Sequence, residues 1–370
     1  METVQLYEIV NDTFKQSTGR TDITAIDTAS FVAMGDAVLN QGNNVEPFMN
    51  TLVQRIGVTV QSFRAYDSQY QDLAFTNMQW GAIMQKIKVA MPEAIADVSV
   101  ELVDGESIDH YIVAKPKSKQ KLFVVRSPYT YEVTIQREWL REAFTSEGAM
   151  EAFIGAIFGE LRNAMSLAQE NLGRATMANF IANTGASQRV HLLTEYQAVP
   201  WATTGVTGDN AIYDGGFLRY AMGRMKYYSM RLEEMSILYN KEGETRHTPL
   251  DMQRFAIRSD YLVNMETQVE YAAFHDQYLE KAAQVKVNYW QSAQTPNDIL
   301  IEGEESEHPI RIQNVLGFIH DRDALGTFRQ FEEALTTPVN ARGKYYNTFY
   351  HVNDARFNDL SENGIVFLVD

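Results

Sequence analysis

SEGAMEAFIGAIFGELRNAMSLAQENLGRATMANFIANTG occupies residues 146–185. Within it Met150, Phe153, Ile154, Ile157, Phe158, Leu161, Met165, Ala168, Leu172 and Met177 recur at three- and four-residue steps with no proline between them, the period of an amphipathic helix. Thr145 or Ser146 offers a hydroxyl to the first free amides, and Asn183-Thr184-Gly185 supplies residues that tolerate a left-handed backbone after the last turn. The spacing predicts one unbroken helix over residues 146–184, roughly 57 Å long at about 1.5 Å per residue. Globular proteins usually use three or four turns, so something elongated lies against this rod.

Immediately upstream, Tyr129, Tyr131, Val133 and Ile135 alternate with Thr130, Glu132, Thr134 and Gln136, the period of a half-buried strand, and a short helix over 137–144 links it to the rod. Downstream, the loop-rich WATTGVTG at 201–208 marks a boundary. Beyond it the pattern predicts a helix over 213–234, a short buried strand over 236–239, helices over 249–255 and 268–283, and strands over 285–290 and 310–319. That alternation describes a compact mixed unit. The chain then returns to strands at 328–335, 345–352 and 365–369. Large aromatics on both sides of the Tyr345–Tyr350 stretch predict a sheet covered twice. Met222, Met225 and Met230 sit at helical spacing and read as core packing.

Charge is unevenly distributed ahead of the rod. The first fifty residues hold seven acids against only Lys15 and Arg20, which suits an arm or thin helical layer better than a core. An extended segment over 80–89 leads past Pro92 into a two-stranded excursion. Its first side, 93–109, has six acids, Glu93, Asp97 and Glu101 among them, and no base; its second, 115–126, has five bases and no acid. Lys115, Lys117, Lys119 and Lys121 alternate, so in an extended backbone all four project from one face. Three readings stand: an edge kept from aggregating by solvated lysines, a salt-sensitive contact with acids of an adjacent subunit and, third, direct nucleic-acid binding by this short stretch.

Composition narrows the functional classes. In 370 residues, 45% are hydrophobic and 19 Phe, 19 Tyr and 4 Trp are enough for real cores. A formal charge of −16 and a pI near 4.9 oppose binding to a phosphate backbone by the surface as a whole. With no cysteine there is no disulfide, no thiolate chemistry and little scope for structural zinc. METVQLYEIVNDTF lacks the basic leader and apolar core of a secretory signal, and no run is long enough to span a bilayer, so a soluble, unexported protein is expected. Phosphate loops, dinucleotide fingerprints, zinc-protease motifs and nucleophile elbows are all missing. The histidines, His110, His191, His247, His275, His308, His320 and His351, are scattered. Glu302, Glu304, Glu305 and Glu307 beside His308 read as a solvated acidic loop, and Asp321-Arg322-Asp323 as the cap of a following helix. No catalytic, cofactor or metal residue is assigned.

The order of elements resembles the major capsid protein of tailed bacteriophages, the Hong Kong 97 type of fold. Residues 131–144 (YEVTIQREWLREAF) look like that family's strand and short helix; Gly317–Gly326, Tyr345–Phe349 and Glu362–Leu368 are similar to capsid proteins from phages of Gram-positive hosts. The resemblance covers essentially the whole chain and implies an α+β capsid fold. It places an N-terminal arm at 1–45 and an extended β loop at 64–126. The peripheral domain would take 46–63, 127–197 and 322–370, with the spine helix at 146–184, and a mixed α/β axial domain 198–321. It also implies a function: self-assembly, as hexamers and pentamers, into an icosahedral head around a double-stranded DNA genome, which the shell encloses without sequence-specific binding. The implied location is the virion, after assembly in the host cytoplasm. The partners would be further copies of the chain, a portal, head-completion or decoration proteins and, since the short arm leaves no room for a scaffolding segment, a separate scaffolding protein; no membrane and no cofactor is implied. Lys115, Lys117, Lys119 and Lys121, against acids such as Glu93, Asp97 and Glu101, are the expected inter-subunit contacts. Two rivals remain: an encapsulin-like compartment shell, and a cytosolic acidic hydrolase whose carboxylates meet only in the fold.

Overall fold

The computed structural model describes residues 3–40, 45, 47–49, 51–52, 70–75, 84–92, 94, 97, 103–107, 111, 113, 115–268, 283–301 and 310–370. Two helices open the chain, α1 (Thr3–Thr18) and α2 (Thr28–Asn40), and the Asn11 side chain ties them by exchanging hydrogen bonds with the Ala25 backbone. The antiparallel strands β1 (Met84–Val89) and β2 (Ser118–Phe123) follow, and then β3 (Val125–Gln136) runs directly into α3 (Arg137–Ala143). Exposed and half-buried residues alternate along β3, as the sequence predicts. Pro128 is tolerated because, among the described residues, β3 pairs on one side only.

The predicted rod is present, as α4 (Glu147–Ile154), a π-helical turn at Gly155–Gly159 and α5 (Glu160–Ala182). The Ser146 hydroxyl caps it, accepting the Ala149 amide at 3.2 Å. It is continuous but not uniform. The π turn, bounded by two glycines, inserts an extra residue and rotates the apolar face of α5 relative to that of α4. Met150, Ile154 and Phe158 accordingly enter a core with Phe14, Phe31 and Phe48, whereas Met177, Phe180 and Ile181 enter a different one with Trp290, Phe318 and Val366. Between the two, Leu167 lies exposed. The far end also departs from expectation, since Gly185 is extended (φ −79°) and not left-handed. Asn183 donates to the Asn179 carbonyl and Thr184 to that of Ile181, so side chains satisfy the last turn and no left-handed residue is needed.

After the rod come β4 (Arg189–His191), α6 (Leu192–Gln197) and α7 (Gly215–Leu232), the last capped by Asp214. The chain continues through β5 (Gln253–Arg258), α8 (Ser259–Gln268), β6 (Ala283–Val287), β7 (Ile299–Ile301), β8 (Ile310–Ile312) and β9 (Val315–Asp321). It closes with β10 (Leu325–Thr336), β11 (Tyr345–Asn358) and β12 (Gly364–Leu368). Two sheets organise these strands: an antiparallel β10-β11-β3 and a mixed β4-β12-β9-β5-β6. In the five-stranded sheet, alternate residues serve opposite cores. Phe255, Ile257, Ile365 and Phe367 join the cluster of α6, α7 and α8, while Ala256, Val285, Val366 and Leu368 join that at the end of α5.

The apolar strand β12 pairs with both β4 and β9, where both of its faces are covered. Several predicted elements differ. Residues 236–239 make a single bridge from Ser236 to Arg246 and leave Ile237 and Leu238 exposed. Residues 249–255 are not a helix: one 3-10 turn at Leu250–Met252 precedes β5, which pairs with both β9 and β6, and that tertiary pairing overrides the local pattern. The strand over 310–319 breaks at Asn314, where φ is 55°. Asp321 caps only one 3-10 turn, Arg322–Ala324. Met222 and Met225 are buried but Met230 is exposed. The helix over 268–283 and the acidic loop at Glu302–His308 fall almost wholly outside the described residues. No helix among the described residues is long and apolar enough to cross a membrane.

His320 on β9 is fully buried, stacked on Phe318 at 5.0 Å, with Nδ1 donating to the Asp321 carbonyl at 2.8 Å. Burial pulls its pKa down to about 4, the nearby Arg254 adding to the effect. The fold thus favours the neutral ring, while the unfolded chain takes up a proton near pH ~6.5. Its contribution is complete above that pH and is lost progressively as the pH falls towards about 4. Asp321, whose carboxyl is raised by burial, works in the opposite sense. His320→Phe keeps the stack and removes the titration. Its urea midpoint should change less than that of the unsubstituted chain between about pH 7 and about pH 5; equal changes would show that His320 is not the group responsible.

Gly35 of α2 packs so closely on Phe144 that an added Cβ would lie 2.6 Å from the Phe144 Cβ. That ring is held between Phe31 and Phe48, at 5.5 and 5.6 Å, and has nowhere to swing. Gly35→Ala should therefore cost roughly 1–3 kcal/mol by overpacking, against the gain in helix propensity. A lowered urea midpoint of the unassembled subunit is the expected reading, and an unchanged one would mean that α2 slides clear.

Candidate assembly site

The β1/β2 hairpin is the stem of the charged excursion. Its register sets Lys86 opposite Lys121 and Lys88 opposite Lys119, so that four ammonium groups share one face. Like charges placed directly across a ladder repel, and this face is stable only because the body of the same chain presents acids to it. Lys88 reaches Asp359 at 2.7 Å and Glu362 at 2.6 Å; Lys121 reaches Asp359 at 2.9 Å and also pairs with Glu242. Lys119 reaches Glu244 at 2.8 Å, and Lys86 lies 3.4 Å from Asp359 while donating to the Asp323 carbonyl.

Asp359 is the centre of this arrangement. It follows β11 directly, its side chain is wholly buried, and it also accepts from the Ser361 hydroxyl at 2.7 Å. Burial alone would raise its carboxyl pKa; hydrogen bonds from Lys121, Lys88 and Ser361 outweigh this and hold it well below the usual carboxylate range. Burial likewise opposes the charge on Lys121, and its two carboxylate partners raise its pKa regardless. Beneath the charges, Met84 and Phe123 of the hairpin rest on Phe357, with Phe75 on the same ring at 5.1 Å. A hydrophobic seat and a ring of ion pairs thus fix the stem's direction within the subunit.

The opposite face of the hairpin mixes three apolar residues with Gln85, Ser118 and Gln120, and all six are exposed among the described residues. Ile87, Val89 and Leu122 are 67%, 60% and 57% exposed, and Val124 beyond them is 52% exposed. Among the sequence-predicted contact residues, Lys119 and Lys121 are engaged by acids of their own chain, while Lys115 and Lys117 are exposed. Asp97 is exposed; Glu93 and Glu101 lie outside the described residues. Sequence reasoning missed Lys86 and Lys88 and all four acids. The signal for the lysines was present, since Lys86-Ile-Lys88-Val repeats on β1 the alternation of β2. The acids carried none, being brought together from an α7–β5 loop and the β11–β12 turn by tertiary structure alone.

Two solved structures share this architecture. A chain in the capsid structure of Staphylococcus phage Andhra matches with a TM-score of 0.55 at 12% identity, over 84% of this chain and 87% of that one. A chain in the structure of the head fibre and inner core protein of native bacteriophage P68 matches with a TM-score of 0.56 at 10% identity, over the same shares. The fold is that of tailed-phage capsid proteins, the Hong Kong 97 type, as the order of elements leads one to expect. Sequence then narrows the class: the chain belongs to the Phi29-like phage major capsid protein family, whose profile matches residues 8–368. It is a head-shell protein of a tailed phage. Comparison with curated protein sequences finds no match.

Asp359→Asn should leave Lys86, Lys88 and Lys121 facing one another without their shared anion. Breaking a buried pair on one side costs roughly 3–5 kcal/mol, enough to free the stem while the two sheets stay folded. Limited trypsin digestion of the unassembled variant should then cut at the hairpin lysines at least tenfold faster than in the unsubstituted chain. An unaltered cleavage pattern would mean that the aromatic seat holds the stem by itself.

Proposed function

We propose that this subunit closes an icosahedral head from hexamers and pentamers of itself around double-stranded DNA, and that it does so as a structural protein without catalytic activity. Within it, residues 1–45 act as an arm, 64–126 as the extended loop, 46–63, 127–197 and 322–370 as the peripheral domain, and 198–321 as the axial domain. The observation that carries the reading is the hairpin: its lysine face is spent inside the subunit, and Ile87, Val89 and Leu122 on its other face are exposed among the described residues. Exposed apolar rows of this kind mark contacts with another protein. Ile87, Val89 and Leu122 cover a neighbouring copy, and Lys115 and Lys117, beyond the stem, meet the acidic tract of Glu93, Asp97 and Glu101 on a neighbour.

The charge of −16 supports containment of DNA without adhesion, because a net-acidic wall repels the phosphate backbone. Assembly takes place in the host cytoplasm with a separate scaffolding protein, a portal and head-completion or decoration proteins, as the family resemblance implies.

Sedimentation velocity with negative-stain imaging, on the protein alone and co-expressed with its genomic neighbours, should show closed shells, tubes or rings of regular capsomers. A small discrete species under both conditions would refute the shell reading. Ile87→Asp/Leu122→Asp should abolish the large species and leave the circular dichroism and urea midpoint of the subunit unaltered; Lys115→Glu/Lys117→Glu should weaken assembly, most at low salt, where unscreened surface charges count most.

A further inference from the structure

The short segment Tyr70–Phe75 lies where both sheets meet the rod. A 3-10 turn at Gln71–Leu73, closed by the Leu73 amide on the Tyr70 carbonyl at 3.0 Å, makes it compact. Its side chains then go to different parts of the subunit. Tyr70 and Leu73 are 4% and 2% exposed and enter the core at the end of α5. Tyr70 rests on the rod at Gly173, where an added Cβ would stand 3.0 Å from the Tyr70 Cβ. The neighbouring Arg174 guanidinium sits over the Tyr70 ring at 5.7 Å and over that of Tyr289, beyond β6, at 3.8 Å, and donates to the Tyr289 hydroxyl at 2.6 Å. Asp72 pairs with Arg254 of β5. Ala74 bridges to Thr327 of β10, and the Phe75 amide donates to the Thr327 carbonyl at 2.8 Å. The Phe75 ring covers Gly326 and meets that of Phe357 on β11 at 5.1 Å.

The parts joined in this way do not share one core. The five-stranded sheet packs on the second half of the rod, and the three-stranded sheet packs on the first half through a separate cluster. Apolar packing resists separation but is non-directional, so by itself it fixes an angle poorly. The segment adds directional contacts: an ion pair to one sheet, a backbone hydrogen bond to the other, and a guanidinium over an aromatic ring on the rod. Arg254 cannot follow a shifting Asp72, because its Nη1 is spent on the Asp251 and Gln253 carbonyls at 2.8 and 2.9 Å. We propose that Tyr70–Phe75 is a strap that holds the five-stranded sheet at a set angle to the rod and the three-stranded sheet, and so fixes the curvature with which subunits join. Subunits with contacts on both parts close into a shell only when every copy keeps the same angle; a different rotation gives open tubes or spirals. The proposal rests on the shell reading and adds to it three positioning residues, Tyr70, Asp72 and Arg254, that act inside the subunit.

Two variants of the whole chain loosen the strap at different anchors. Asp72→Asn removes the charge that Arg254 faces. Gly173→Leu puts a side chain beneath Tyr70 while raising the helix propensity of the rod; Gly173→Ala, a smaller intrusion at the same place, serves if the larger one does not fold. In the unassembled subunit, chymotrypsin should cleave after Tyr70, Leu73 or Phe75 about tenfold faster in both variants than in the unsubstituted chain, with circular dichroism unaltered. Asp72→Glu keeps the charge and should keep the unsubstituted rate. In assembly, Asp72→Asn and Gly173→Leu should give shells of several diameters or open tubes where the unsubstituted chain gives one diameter, and Asp72→Glu should return the single diameter. Unchanged cleavage in both variants would overturn the strap, and faster cleavage with an unchanged diameter would overturn its hold on curvature. Absence of shells from the unsubstituted chain would refute the shell reading, whereas the cleavage rates test the strap independently of it.

Discussion

Two hydrophobic clusters have to be held apart at a fixed distance and angle, one around the N-terminal helices and β3, the other on the inner face of the five-stranded sheet. The rod of residues 147–182 does this by giving its first half to one and its second half to the other. A uniform helix would present a single stripe, drifting slowly with its 3.6-residue period, and would match at most one of the two. The π turn at Gly155–Gly159 resolves the conflict by rotating the second half. Everything that depends on the relation between the two sheets, including where the extended hairpin points, inherits its geometry from this turn.

The hairpin's orientation is then fixed by electrostatics of an uncommon kind. Four lysines on one face of two strands would by themselves splay the ladder. A buried carboxylate without cations would be costly in the other direction. Each makes the other tolerable, and the aromatic seat on Phe357 keeps water from weakening the exchange. The stem is thus pre-organised within the subunit, and under the proposed contact a neighbour meets a rigid projection and does not have to order a loose one.

Most of the architecture was legible where a period was strong. The alternation of β3, the rod, the helix expected over 213–234 and the apolar final strand all follow from spacing. Legibility failed where tertiary partners decide. Residues 249–255 have a helical pattern but lie between two strands that take them as a third; residues 236–239 look buried but find no sheet. The lysine row was visible as a row, yet its partners were not, because Glu242, Glu244, Asp359 and Glu362 converge only after the mixed unit has folded against the end of β11. The π turn left no mark except its two glycines.

The division of charge explains how an acidic protein can both fold stably and associate reversibly. Bases with structural work are paired inside the subunit, several with side chains almost wholly buried, and are insensitive to salt; those at Lys115 and Lys117 are exposed. An exposed ion pair is worth at most about 1 kcal/mol. No single contact of that size holds two subunits together for long. A closed shell multiplies it over every edge, so that closure is stable while each addition stays weak enough to be undone. Strong pairs at the edges would instead trap misplaced subunits. On the proposed contacts, the chain keeps its strong electrostatics for fixing the shape of one subunit and its weak electrostatics for joining many.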